Sequence, residues 1–424
     1  AQCCSANLYT HFNRSMMFKG NIVLSRNFIL QYSSILVAMA FLLSVHPTKT
    51  FVQSHLSAFH LLRKAKLSVE TSRYFSMASH NDMDDSFVAK EDLFRESMHA
   101  KPIEFTCEDG IKIAGKSWGH ASGKPVLALH GWLDNAASFD ALAPDLSQVG
   151  CHVVALDFPG HGLSSHRSID ATYNICDYPY YVLEAANHLG WEKFSLVGHS
   201  MGAVVSSMVA GAMPELVEKC VLIEGIGPLS YNAEQAAGHL RKNLRSRELF
   251  TRRYKDRKKK AYGSIEAAVE ARIKTVESLP GNQFLSREAA RIMVQRAVQP
   301  AEDNTSLHPP GREYSLEELQ DKEVSFIHDL RLNMASPSYF TEDQAVSFVQ
   351  SIRCPTLLIM ATEGWPYDTE RYENRKSVLT EKIGIDTFNQ NIFEGGHHLH
   401  LDPETSQQVS STVLNFFQCQ HSSL

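Results

Sequence analysis

"LVGHSMGA", residues 196–203, is the stretch on which the reading of this chain turns. The residues before it, from Phe194, form an apolar run of strand length. The residues from Met201 are small and apolar up to Pro214, which is helical length. Ser200 stands at the junction, with Gly198 two residues before it and Gly202 two residues after. A strand that turns sharply into a helix crowds those two flanking positions, so only small residues fit there. The bend lifts the serine hydroxyl above the C-terminal edge of a sheet. The helix that begins there aims its first amides at the same place. Gly-x-Ser-x-Gly alone is a moderate signal, and strand before with helix after makes it a specific one.

Working outward, the chain from residue 102 alternates short β runs with helical stretches. Residues 103–106 and 111–118 flank Asp109-Gly110, a hairpin signal. Residues 126–129, 153–156, 194–197, 221–223 and 356–360 are continuous apolar runs, suited to strands buried on both faces. Residues 137–148, 176–189 and 201–213 between them read as helices, so a parallel sheet with crossover helices is expected. The alternation stops over residues 229–349, which read as helical throughout and predict a cap over one edge of the sheet.

A serine needs a base. Residues 388–393 read as the last strand, followed by Glu394-Gly-Gly-His397-His398-Leu-His400. His397 follows the glycine pair, where a tight loop would carry it over the sheet edge, and is the expected base. His398 is the second choice, and His400 is expected to cap or pack against the following helix. After the strand at 126–129, Gly131 permits a turn that points the Trp132 amide at the same spot as the Met201 amide. These two are the expected oxyanion donors. His130 is expected to hold loop backbone. The acid that orients the imidazole has three candidates: Glu363, slightly favoured, beyond the strand at 356–360; Glu224, directly at the end of the strand at 221–223; and Asp368.

Composition narrows the function classes. The chain has 424 residues, 43% of them apolar, and a net charge of −6, which gives no global case for nucleic-acid binding. Its 8 cysteines are scattered, several within apolar runs, which suits buried thiols and supplies no zinc-ligand spacing. Residues 241–260 hold eleven Lys or Arg against Glu248 and Asp256. That run reads as a solvated helix face, with attraction of an anionic acyl carrier such as a coenzyme A thioester as the sharper alternative. Residues 1–85 differ from the rest: no Asp or Glu occurs before Glu70, and residues 28–45 are mostly apolar. Three readings stand open there: a secretory signal or anchor that would bring membrane contact if retained, a mitochondrial presequence, or an extension upstream of Met77 or Met83. Cytoplasmic or peroxisomal placement of the remainder is expected, the latter only from a weak C-terminal Ser-Ser-Leu.

Four motifs in order, His130-Gly-Trp, Asp157-Phe-Pro-Gly-His-Gly162, Gly198-His-Ser-Met-Gly202 and Gly396-His-x-x-His-Leu-Asp402, resemble the α/β-hydrolase fold over residues 102–418. More narrowly, "HGWLDNAASFDALAP" followed by "DFPGHGLSSH" is similar to the serine hydrolase-like proteins of animals, the kraken-like group. The resemblance implies a mostly parallel eight-stranded sheet flanked by helices, with core residues 102–228 and 350–418 and a helical cap, 229–349, after the sixth strand. It implies Ser200 as nucleophile, His397 as base and the Trp132 and Met201 amides as oxyanion donors. It implies no cofactor; no metal is expected from the cysteine spacing, and the expected partner is a small acyl substrate. The sequence departs from the commoner pattern at Ala361-Thr-Glu-Gly-Trp, where many relatives carry Gly-x-x-Asp. Haloalkane dehalogenases can place a Glu directly after the preceding strand, which Glu224 matches. Ser at position 200 argues against the aspartate-nucleophile chemistries of other relatives.

Overall fold

Apolar residues at alternate positions of one strand point to opposite faces of a sheet, and the central strands bury both sets. β1 (Lys101–Thr106) and β2 (Lys112–Trp118) form the expected antiparallel hairpin around Asp109-Gly110. β3 (Lys124–Leu129), β4 (Cys151–Leu156), β5 (Phe194–His199), β6 (Val217–Ile223), β10 (Thr356–Glu363) and β11 (Phe388–Gly396) run parallel to their neighbours among these six. β4 pairs antiparallel with β2. The sheet has eight strands in the order β1-β2-β4-β3-β5-β6-β10-β11. The computed structural model describes residues 99–254, 259–281, 283–303 and 312–418. The expectations for residues 1–85 and for the terminal Ser-Ser-Leu lie outside the described residues. Among the described residues, no helix is long and apolar enough to cross a membrane.

Each face of the sheet has its own core. Leu127, Leu129, Leu156, Leu196 and Leu222 pack on one side with Val182 of α2 (Tyr178–Leu189) and Val205 and Val209 of α3 (Met201–Ala212). The alternate residues Val126, Val153, Val197, Val221 and Ile359 pack on the other. Their partners are Phe139, Leu146 of α1 (Ala143–Gln148) and Val413 of α10 (Ser406–Gln418). Full burial of each such side chain stabilises by about 1.5–3 kcal/mol before conformational entropy is counted.

Between β6 and β10 the chain leaves the sheet. This insert contains α4 (Ala236–Tyr254), α5 (Ile265–Glu277), α6 (Arg287–Gln295), α7 (Leu316–Leu319) and α8 (Glu342–Ser351). α9 (Thr369–Ile383) then bridges β10 and β11. The expectation that residues 229–349 are helical throughout is corrected. β7 (Ala261–Tyr262), β8 (Val298–Pro300) and β9 (Val324–Phe326) form a small antiparallel sheet, ordered β7-β9-β8. Strands of two or three residues are too short to show a period-2 pattern. The insert has its own apolar cluster around Val269, Met293, Val294 and Val324, and Leu401 from the loop after β11 joins it.

Buried ion pairs fasten the insert to loops at the C-terminal edge of the sheet. Asp157, directly after β4, is fully buried. Its carboxylate accepts from the Ala136 amide at 2.7 Å and the Leu163 amide at 2.9 Å. Arg296, at the end of α6, donates to it through Nε and Nη2 at 3.0 and 2.8 Å. Arg272 of α5 pairs through Nη2 with Oδ1 of Asp134 in the loop after β3. Removing one partner of a buried pair leaves the other charge desolvated and costs about 3–5 kcal/mol. Arg296→Ala should therefore lower the unfolding free energy by that amount, read as a lower urea midpoint at unchanged slope. A loss below about 1 kcal/mol, the range of surface pairs, would contradict the burial argument.

Candidate active site

The register of the sheet sets the site. His199 and Ile223 pair across β5 and β6, so the next residues, Ser200 and Glu224, leave adjacent strands side by side. Both have left-handed backbone, with φ of 52° and 58°. Few residues with a Cβ adopt that region, and such outliers concentrate where function demands them. At the serine the two glycines make the turn possible. A Cβ on Gly202 would overlap the Leu129 carbonyl of β3, and one on Gly198 would overlap the Gly202 carbonyl. The Ser200 amide donates to the Ile223 carbonyl at 2.8 Å, tying the bend to β6.

His397 arrives from the end of β11. Its Nε2 lies 2.8 Å from Ser200 Oγ, and its Nδ1 lies 2.8 Å from Glu224 Oε2. A carboxylate only accepts, so Nδ1 carries the proton and Nε2 is left to accept from the serine hydroxyl. Glu224 is fully buried, and two backbone amides fix it. Ala361 donates to Oε1 at 2.6 Å and Trp365 to Oε2 at 2.9 Å. The Tyr367 hydroxyl donates to the Glu224 carbonyl at 2.6 Å. Gly364 lies flat against this carboxylate, where a Cβ would overlap Oε2.

The preference for Glu363 as the partner of the imidazole is corrected, because the ring nitrogens of His397 are taken by Glu224 and Ser200. β10 continues through Glu363, which pairs with Gly396 in the ladder and is exposed. Asp368 caps α9, accepting from the Arg371 amide at 3.1 Å. The signal for Glu224 was its place directly after an apolar strand, level with Ser200. His130 holds loop backbone as expected: Nδ1 donates to the Gly131 carbonyl at 2.7 Å, and Nε2 accepts from the Phe158 amide at 3.0 Å. His400 does not cap the following helix. It is buried, with its ring centroid 4.1 Å from that of His199 and 5.7 Å from that of Phe139. His398 faces Asp134. Met201 opens α3, whose first amides lack an acceptor within the helix. Trp132 sits in the β3 loop, turned by the Asp134 amide donating to the Gly131 carbonyl at 3.1 Å, with Leu133 at φ 61°.

A cavity of about 630 Å³ opens over Ser200, His397, Trp132 and Met201. The insert supplies much of its apolar wall, including Leu279, Leu332, Met334 and Phe340. Among the described residues of the basic run at 241–260, Lys242 lines this cavity. Arg241, Arg245, Arg247 and Arg252 are exposed on α4.

Burial pushes His397 below the ordinary imidazole value of 6.5, while the hydrogen bond and charge of Glu224 pull it upward. The ring is therefore neutral, and able to accept a proton, at neutral pH. Its titration midpoint in histidine-labelled protein, followed by NMR, should lie below 6.5. Glu224→Gln should lower that midpoint further, because it removes the interaction that favours the charged form. A rise on substitution would contradict this arrangement.

Comparison with known proteins agrees with this architecture. The alpha/beta hydrolase fold family matches residues 124–258. A serine hydrolase-like protein of Danio rerio is 32% identical over 318 residues, covering 73% of this chain and 86% of the relative. Serine hydrolase-like protein 2 of Homo sapiens is 30% identical over 325 residues, covering 73% and 91%. Among solved structures, a hypothetical protein of Pseudomonas aeruginosa PAO1 superposes with a TM-score of 0.60 at 39% identity, covering 76% of this chain and 99% of that one. A thioesterase domain from the curacin biosynthetic pathway, at 22% identity and a TM-score of 0.59, shares the fold. The chain belongs to the serine hydrolase-like proteins of the α/β-hydrolase fold.

Proposed function

We propose that this protein is a serine hydrolase that cleaves an ester, thioester or related acyl bond through an acyl-enzyme formed on Ser200. The observation that carries the reading is one imidazole bridging a hydroxyl and a buried carboxylate, both at 2.8 Å, beneath an open cavity. Ser200 Oγ attacks the substrate carbonyl carbon while its proton passes to His397 Nε2. The Nδ1 proton stays hydrogen-bonded to Glu224, whose charge stabilises the imidazolium as it forms. The Met201 and Trp132 amides receive the developing oxyanion, and removal of one such donor typically slows turnover by about 10²–10³-fold. His397 returns the proton to the leaving group, and the acyl-enzyme is then hydrolysed by water activated at the same nitrogen. The apolar wall and the cavity's size suit a medium-sized apolar acyl group.

A fluorophosphonate probe should label the full-length protein at Ser200 and leave folded Ser200→Ala unlabelled. Glu224→Gln should slow labelling by about 10³–10⁴-fold, the scale expected when the imidazole loses its orienting carboxylate. Glu363→Gln should change it less than about twofold, because its side chain is exposed at the end of β10. No labelling of folded protein would instead favour a non-catalytic binding role.

Lys242 at the cavity gives the leaving group a second handle. For a coenzyme A ester, kcat/KM should fall as salt rises and should lose that dependence in Lys242→Ala, while a neutral ester shows a flat response in both. Equal flat responses for the two substrates would remove the anionic-carrier reading.

A further inference from the structure

Behind the hydroxyl–imidazole–carboxylate chain lies a second polar cluster that the proposed reaction does not use. Asp134 comes from the loop after β3, His199 is the last residue of β5 and His398 follows β11, and all three are buried. Each is a close chain neighbour of a residue assigned to the reaction: Asp134 of Trp132, His199 of Ser200 and His398 of His397. Their ligand-type atoms all lie within 4.8 Å of one another.

The distances do not suit hydrogen bonding. His199 Nδ1 is 3.4 Å from Asp134 Oδ2, and His398 Nε2 is 3.5 Å from the same oxygen. Hydrogen bonds between nitrogen and carboxylate run about 2.7–3.2 Å. Three observations give the gap a chemistry. His199 Nε2 lies 2.8 Å from the His397 carbonyl, which can only accept, so Nε2 is protonated and Nδ1 presents a lone pair. That Nδ1 is fully buried and has no hydrogen-bond partner. The space beside it exists because residue 131 is glycine: a Cβ there would sit 2.6 Å from Asp134 Oδ2 and 3.0 Å from His199 Nδ1.

A lone pair, a carboxylate oxygen and a second imidazole converging on one buried point are the donor set of a divalent transition metal. Tetrahedral zinc with bonds near 2.0–2.1 Å separates its ligands by roughly 3.3–3.4 Å, close to the two spacings seen here. Two of the three residues have the supporting partners usual around metal ligands, while His398 Nδ1 is buried without one. His199 is fixed by a backbone carbonyl, and the other oxygen of Asp134 is held by Arg272. All three residues also line the cavity over Ser200, which provides a way in.

We propose that Asp134 Oδ2, His199 Nδ1 and His398 Nε2 form a binding site for a zinc-class divalent cation. The cation would join the three loops that hold Trp132, Ser200 and His397. This assignment stands apart from the acyl chemistry, since the cation would position loops and does not depend on Ser200 reacting. The sequence expectation of no metal rested on the spacing of the cysteines, and this site contains none of them.

The test uses the full chain, stripped with chelator and titrated with Co²⁺ and Zn²⁺. One equivalent of Co²⁺ should give visible ligand-field bands of a low-coordinate nitrogen–oxygen site, and Zn²⁺ should displace it and raise the melting temperature. His398→Gln should weaken binding by at least about a hundredfold, since loss of supporting partners alone costs 10–100-fold. Ser200→Ala should bind as the parent does, so failure of the hydrolase reading leaves this result intact. X-ray absorption of zinc-loaded parent protein needs no variant and should show two imidazoles and no sulfur. Absence of stoichiometric binding, a sulfur shell, or a folded His398→Gln that binds equally well would overturn the site.

Discussion

The carboxylate of Glu224 is the point at which the separate parts of this site become one object. It is wholly buried, and a buried anion persists only when its oxygens are hydrogen-bonded. Its partners are the Ala361 amide near the end of β10, the Trp365 amide just beyond it and the imidazole delivered from the end of β11. The same carboxylate that orients His397 therefore also fixes the end of β10 and the turn that follows it. The hydrogen bonds to its oxygens fix positions that a solvated carboxylate would leave loose.

The parallel sheet explains why the groups meet. Adjacent parallel strands end level with one another, so the first residues beyond β5 and β6 emerge as neighbours, one a serine and one a glutamate. Left-handed backbone at both turns each side chain upward instead of letting the strand continue. The insert lines the other side of the cavity above, so the Ser200 hydroxyl is held at a junction between the sheet edge and a largely apolar roof.

Much of this is legible in the chain. Continuous apolar runs marked the central strands, because burial on two faces leaves no polar position. The Gly198-x-Ser200-x-Gly202 turn marked the serine, because only glycine avoids the carbonyls that crowd it. His397 was legible from the glycine pair before it. The carboxylate was harder. Glu363 lies beyond a strong strand, as Glu224 does, and sequence alone does not show that β10 continues through it in register with Gly396. The short strands of the insert carry too few residues for a pattern. Asp134, His199 and His398 are far apart in sequence, and their approach is a property of the sheet that no local spacing reports.

The fastening of the insert has a consequence for the cavity. Asp157 with Arg296, and Asp134 with Arg272, are buried on both sides. The Asn135 side chain also donates to the Met293 carbonyl at 2.8 Å. A roof riveted at several desolvated points does not swing open as a rigid door, because each rivet costs several kcal/mol to expose. The described part of the insert is therefore held over the sheet edge as a fixed wall, and the shape of the cavity beneath it is set by buried charge as much as by apolar packing.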